Sequence, residues 1–307
     1  MKRVLLLFLC IALLGSMALA KGGKRFAYSP STLNNPFFSV ITDGLKSVIK
    51  ANGDQLVVLD PQYDQAKQIS QIEDLVAQKI DALFLIPVDA KGVKDALDSC
   101  KKANIPVINI DTEVFDRDLV ATGIVSDNYL AGVLCGKDMA QKFPKGGKIA
   151  IIDFPVAQAC IDRVNGFLEG LGSKKNLFKI VAQQDGKASL EASMPIAENI
   201  LQGNPDLKAF FCINDPTALG TIAALKAAGK NGKIKVWGVD GSPDAKKILG
   251  SGDLEMTVAQ SPINLGKTGA QKAYDILSGK KIEKHILVPT FAITPSNVKK
   301  YGTNGWQ

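Results

Sequence analysis

The stretch "QLVVLDPQYDQAKQISQIEDLVAQKIDALFLIP", residues 55–87, changes its period twice. Gln55 to Asp60 and Ala82 to Pro87 are short apolar runs of strand length. Between them Ile69, Ile72, Leu75 and Val76 recur at helical spacing and mark one face of an amphipathic helix. Strand, helix and strand in this order predict a parallel sheet, and the unbroken apolar character of the runs predicts that helices cover both faces.

The same cadence continues in both directions. Strands are expected at Arg25 to Ser29, Pro106 to Asp111, Lys148 to Asp153, Lys179 to Gln183, Ala209 to Asn214, Lys235 to Asp240 and Glu255 to Gln260. Phe38, Ile41, Leu45, Val48 and Ile49 mark a further helix face. Nine or more parallel strands are too many for one sheet here, and the cadence restarts after an irregular stretch, Thr112 to Ser126. The expected α/β fold is therefore two doubly wound parallel-sheet domains. The strand Glu255 to Gln260 and its following helix come late in the chain, where the path turns back to the first domain, so the expected joint is a multi-strand hinge. The expected lobes are residues 21–125 plus 260–290 and residues 126–259 plus 291–307.

Residues 1–20 read as a secretory signal. Lys2 and Arg3 precede an apolar run from Val4 to Leu14, and Ala18-Leu19-Ala20 supplies small residues for cleavage near Ala20. The run is short for a membrane span, and Cys10 lies inside it rather than after it, unlike a lipoprotein cysteine. A periplasmic or secreted protein is expected. Of the 307 residues, 46% are hydrophobic and 22% charged, a globular composition. Thirty-seven basic side chains less Lys2 and Arg3 leave 35 against 30 acidic ones, or +5. The lysines are scattered without a basic run, so nucleic-acid binding is not expected.

With His285 as its one histidine, the chain has little material for a histidine metal site, a serine–histidine triad or a cysteine–histidine pair. Neither catalysis nor a cofactor is expected. Cys100, Cys135, Cys160 and Cys212 would meet an oxidising compartment after export and could pair there. Their spacing matches no metal or redox motif, and burial as small apolar side chains is the preferred reading.

The chemistry-bearing pattern is at the strand ends. Asp60, Asp111, Asp153, Asn214, Asp240 and Gln260 each close an apolar run with a hydrogen-bonding side chain. In open α/β sheets ligands bind outside the carboxyl ends of the strands. Any one of these residues could simply cap a turn or helix, and Asn214-Asp215-Pro216 and Asp240-Gly241-Ser242-Pro243 both read as helix entries. Recurrence in both halves favours a shared site. Carboxylates and amides converging from two domains, with the fixed donors of Arg163 in "CIDRVNGF", suit a neutral hydroxyl-rich ligand such as a sugar or polyol. A surface position on its helix is the plain alternative for Arg163.

"STLNNPFF", residues 31–38, adds a puzzle. Pro36 suits a first helical turn and Asn35 a cap, yet one helix face buries only one of the adjacent Phe37 and Phe38. Taken with "LVVLDPQYD", "IPVINID", "SDN" at Ser126 to Asn128, "INDPTALG", "VWGVDGSPD" and "TVAQSP", this stretch gives the chain from Lys21 to about Pro289 its family likeness. It resembles periplasmic sugar-binding proteins of the ribose-binding type, the solute receptors of ABC importers.

The resemblance implies a type I periplasmic binding protein fold. It implies that Asn35, Phe37 and Phe38 reach the cleft from the first domain, with both rings at its mouth against the sugar. It assigns Asp111, Arg163, Asn214, Asp240 and Gln260 to the sugar hydroxyls. It also implies a membrane permease as partner, with a chemoreceptor as a further one. The chain departs from the ribose-type pattern at Ile86, where asparagine is expected, at Thr112 for arginine and at Val239 for an aromatic, and no aromatic stands near Gly186 to Ala188. A cleft without a second-domain aromatic wall is thus expected, for a ligand that fills space through Ile86 and Val239 or reaches Glu113. Trp237 is read as core, or as a replacement for the missing ring.

Three other functions share parts of this pattern, and the first two fit less well. A lactose-repressor-type regulator shares the two-domain core, but an export signal stands where a DNA-reading domain would be. A glycosidase would use Asp111 and Asp240 as its carboxylate pair, for which the sequence offers no perturbing environment. A receptor passing a sugar or autoinducer to a sensor has the same sequence features as a transport protein.

Overall fold

The computed structural model describes residues 23–307; the signal segment, residues 1–20, lies outside the described residues. The first part of the chain runs β1 (Arg25–Ser29), α1 (Pro36–Ala51), β2 (Gln55–Val58), α2 (Gln65–Ala77), β3 (Ala82–Leu85), α3 (Lys94–Lys102), β4 (Val107–Ile110) and β5 (Thr122–Ser126). The second continues α4 (Asn128–Lys142), β6 (Gly147–Asp153), α5 (Gln158–Gly170), β7 (Phe178–Asp185), α6 (Leu190–Gly203), β8 (Ala209–Cys212), α7 (Asp215–Ala227), β9 (Lys235–Asp240), α8 (Pro243–Leu249) and β10 (Met256–Ala259). The closing elements are α9 (Pro262–Leu277), β11 (His285–Val288), β12 (Phe291–Ile293) and α10 (Val298–Tyr301). No helix among the described residues is long and apolar enough to cross a membrane.

Two six-stranded sheets result, ordered β11-β5-β4-β3-β1-β2 and β12-β10-β9-β8-β6-β7. The first is parallel throughout; in the second β12 alone runs antiparallel, beside β10. Both faces of each sheet are covered. In the first, Ile41, Leu45 and Ile49 of α1 and Leu265 of α9 pack on one face, and Ile72, Leu75 and Leu97 of α2 and α3 on the other. In the second, Cys135, Val164 and Phe167 of α4 and α5 cover one face, and Ile200, Ile222 and Leu249 of α6 to α8 the other.

All nine predicted strands form, each within two residues of its expected ends. The stretch Thr112 to Ser126 is not irregular throughout: Thr122 to Ser126 form β5, a fully buried strand between β4 and β11. Its Thr and Gly interrupt the apolar signal, and its pairing partner β11 is more than a hundred residues away. β11 and β12 are edge strands with partly exposed side chains, which weakens their pattern. Among the described residues Cys100, Cys135, Cys160 and Cys212 are buried and form no disulfide, in keeping with the expected small-apolar role.

The chain passes between lobes after β5, after β10 and after β11. β10 itself stays in the second sheet; α9 is the element that returns to the first, against α1. Two crossings are tied together where Asp127 N donates to Val288 O (3.0 Å) and Thr290 Oγ1 donates to Asp127 O (3.0 Å). The tail, expected with the second lobe, packs α10 there but lays Trp306 on the first-lobe core.

The α4–α5 pair sets the depth of the site. A Cβ on Gly132 would run into the Arg163 carbonyl, and one on Gly166 into that of Tyr129, so only glycine permits this approach. Gly132→Ala is therefore expected to cost about 1–3 kcal/mol by overpacking and to displace the turn that carries Arg163. Urea denaturation checks this, and an unchanged midpoint would show that the two helices separate freely.

Candidate ligand-binding cleft

The carboxyl ends of both sheets meet across one cleft of about 500 Å³ of atom-free space, its open mouth included. Asn35, Phe37, Phe38, Asp111, Arg163, Asn214, Asp240 and Gln260 all line it, and so do Tyr63, Thr112, Phe154 and Cys160. Asp60 and Asp153, singled out by the same strand-end pattern, do not. Asp60 accepts from Leu33 N (3.0 Å) and Gln62 N (3.1 Å), and Asp153 accepts from Phe154 N (2.6 Å) and Gln183 Nε2 (2.6 Å). Both are turn residues, the role a lone Asx at a strand end most often has.

The wall residues are held by local structure. Asn35 caps α1, its Oδ1 accepting from Phe37 N (3.0 Å). Asn214 caps α7, accepting from Thr217 N (3.0 Å), while its Nδ2 donates to Ala188 O (3.1 Å). Asp111 sits at φ 66° beyond β4. That loop is braced by the buried Asn109 amide, which donates to Leu85 O (3.1 Å) and Thr112 O (2.8 Å) and accepts from Val114 N (3.0 Å).

Arg163 is only 4% exposed, not a surface helix residue. Its Nε donates to Asn128 Oδ1 (2.9 Å), its Nη1 donates to Ile213 O (2.8 Å), and Nη1 lies 3.6 Å from Asp240 Oδ1. Gln260 Nε2 donates to the same Asp240 oxygen (2.7 Å). Burial pushes the Asp111 carboxyl up to about 6, against the pull of Arg163 and the Thr112 hydroxyl. Burial pushes Asp240 further, to about 8, with the neighbouring Asp215 carboxylate adding to the rise and Arg163 opposing it. Among the described residues, two buried acceptors of the cleft have no partner: Asp111 Oδ1 and Gln260 Oε1.

The aromatic walls differ from expectation. Phe37 and Phe38 line the cleft but are buried members of the first-lobe core, not rings standing at its mouth. Adjacent positions both find cover because the two rings pack edge to face on each other at 5.9 Å and Trp306 covers Phe37 at 5.6 Å. The second lobe does supply a ring, Phe154, which meets Tyr63 of the first lobe edge to face at 6.0 Å. Each of these rings follows one of the turn aspartates, so the strand-end pattern pointed to the correct turns and to the wrong side chains. Ile86 and Val239 are fully buried in the two cores and do not line the cleft. Trp237 is also core, its Nε1 donating to Asp138 Oδ2 (2.8 Å). Glu113 lies 2.6 Å from Arg117 and 3.1 Å from His285 and lines a hinge-side pocket that shares Asp111 with the cleft, not the cleft itself.

Two hinged parallel-sheet lobes enclosing converged acceptors and rings define a bilobal solute-binding protein. The chain belongs to the periplasmic binding protein domain family, whose match covers residues 26–281. It is 37% identical over 262 residues, 85% of this chain and 84% of the relative, to the ribose import binding protein RbsB of Bacillus subtilis (strain 168). A solved ABC transporter solute-binding protein from Agrobacterium vitis with bound D-fucose superposes with a TM-score of 0.86 at 30% identity, covering 90% of this chain and 97% of that one. One from Bacillus halodurans C-125 with bound myo-inositol gives 0.85 at 28%, covering 91% and 97%.

The raised carboxyls make a pH prediction. A carboxyl whose folded pKa lies above its unfolded value stabilises the fold while protonated; the contribution is complete below about pH 4 and is lost as pH rises through the folded value. The sugar-free protein should lose thermal stability as pH rises above 4, through about 6 for Asp111 and further for the buried Asp215–Asp240 pair, both of whose carboxyls burial also raises. Asp240→Asn should flatten that slope and raise the melting temperature at pH 8. A slope identical to wild type in both Asp111→Asn and Asp240→Asn would refute the burial argument.

Proposed function

We propose that this chain is an extracytoplasmic solute-binding protein that captures a monosaccharide or related polyol in the inter-lobe cleft and delivers it to an ABC-type sugar permease. The observation that carries this reading is the pair of buried acceptors without donors, Asp111 Oδ1 and Gln260 Oε1, in a cleft walled by rings from both lobes. Ligand hydroxyls would donate to both, and a hydrogen bond from a hydroxyl to a buried carboxylate is worth about 1.5–3 kcal/mol. Phe38 and Phe154 would take the C–H faces of the ring. Relatives named for ribose import and solved relatives holding D-fucose and myo-inositol support the same ligand class.

Thr112 leaves Arg163 as the guanidinium of the cleft, which favours a neutral ligand and does not single out ribose. Closure about the crossings near Ser126, Gln260 and Pro289 would bury the sugar, and the closed form would dock on the permease. We read the site as binding without turnover, since both Asp240 oxygens already accept from the protein, from Gln260 Nε2 (2.7 Å) and Asp215 N (3.4 Å). Export by cleavage near Ala20 completes the reading, and N-terminal sequencing of the secreted protein checks it.

A thermal-shift screen over pentoses, hexoses and polyols tests the function. Wild type should rise by several degrees with one compound class. Asp111→Ala and Asp240→Ala should stay folded and show no shift, and Phe154→Ala should weaken binding about tenfold, the scale of one aromatic contact. Wild-type shifts in both aspartate variants would move the site elsewhere.

A further inference from the structure

The C-terminal tail touches both lobes within two consecutive residues. α10 is anchored in the second lobe, with Val298 in its core and the Tyr301 and Phe291 rings stacked at 5.0 Å. Gly302, at φ 69°, then turns the chain, a conformation that glycine adopts without strain. Beyond that turn the Gly305 carbonyl accepts from Lys246 Nζ of α8. Lys246 is 1% exposed, and this is the one hydrogen bond of its ammonium among the described residues, so the tail covers and partners a buried cation of the second lobe. The next residue, Trp306, packs on the first-lobe core, its ring edge to face with Phe37 at 5.6 Å.

Phe37 is the cleft-lining ring that Trp306 backs. Its other ring neighbour is Phe38, at 5.9 Å, so the ring is held between Trp306, Phe38 and the ligand space. We propose that Trp306 is a positioning residue for ligand binding: the tail fastens the two lobes together behind the cleft and fixes the Phe37 ring at the ligand face. This rests on the reading of the cleft as a sugar site. Without the indole, Phe37 regains rotamers that binding must remove, and the lobes lose a contact that is made only when they are together.

The test compares wild type, Trp306→Ala, Trp306→Phe and a chain ending at Gly302. Titration calorimetry and stopped-flow binding with D-ribose, D-allose, D-fucose and myo-inositol supply one arm, and the radius of gyration of the sugar-free proteins by small-angle scattering supplies the other. For whichever sugar binds wild type, Trp306→Ala should raise Kd about tenfold, mainly through faster release, and Trp306→Phe should restore most of the affinity. Sugar binding should change tryptophan emission in wild type but not in Trp306→Phe, because Trp237 is enclosed in the second-lobe core. The sugar-free Trp306→Ala and truncated proteins should have larger radii. Equal loss of melting temperature in both Trp306 variants, with unchanged Kd and unchanged radius, would reduce the contact to ordinary packing and overturn the proposal. If none of the four sugars binds wild type, the sugar assignment fails, while the scattering comparison still decides whether the tail fastens the lobes.

Discussion

Everything at the cleft depends on one buried guanidinium. Arg163 projects from α5 into a space where Asn128 and the Ile213 carbonyl accept from it and the Asp240 carboxyl lies 3.6 Å away, and its charge also pulls against the desolvation of Asp111. A buried cation is tolerated only where partners repay its lost hydration. Here each partner comes from a different element: Asn128 from the start of α4, Ile213 from the end of β8 and Asp240 from the end of β9. Those three positions are fixed relative to one another by the sheet and by the glycine-mediated contact of α4 with α5. The architecture of the second lobe is thereby read out at a single side chain.

The first lobe brings a complementary strain. Asp111 takes a left-handed backbone conformation and keeps one carboxylate oxygen without a donor in a buried place. Gln260, at the crossing after β10, does the same with its amide oxygen. Such groups lower the stability of the empty molecule, and their persistence at the meeting point of two lobes is what functional sites show when stability is given up for binding. On the proposed reading, a hydroxyl-bearing ligand held between the lobes would supply the donors that Asp111 Oδ1 and Gln260 Oε1 lack among the described residues.

Much of this was legible along the chain. The apolar runs and helical faces located nine strands and the two-domain plan, because parallel strands buried on both faces carry a strong local signal. The polar strand ends located the cleft, since chain direction alone decides that all those ends share a side. Edge strands β11 and β12 and the Gly-interrupted β5 escaped, because their stability comes from partners distant in sequence rather than from their own pattern. Tyr63 and Phe154 escaped for a related reason. Their turns were marked by Asp60 and Asp153, but only packing across the cleft decides which residue of a turn points inward.

Local order along the chain, then, settled which segments are strands and helices and which ends carry hydrogen-bonding groups. Tertiary structure alone decided which of those groups serve only as turn residues and which line the cleft, because that distinction is a matter of burial and of missing partners. It also decided that Ile86, Val239 and Trp237 are core, that Arg163 is interior, and that a tail expected with one lobe touches both. Each of these outcomes depends on contacts between residues far apart in sequence. Periodicity reports which side of an element is apolar, not what that side meets.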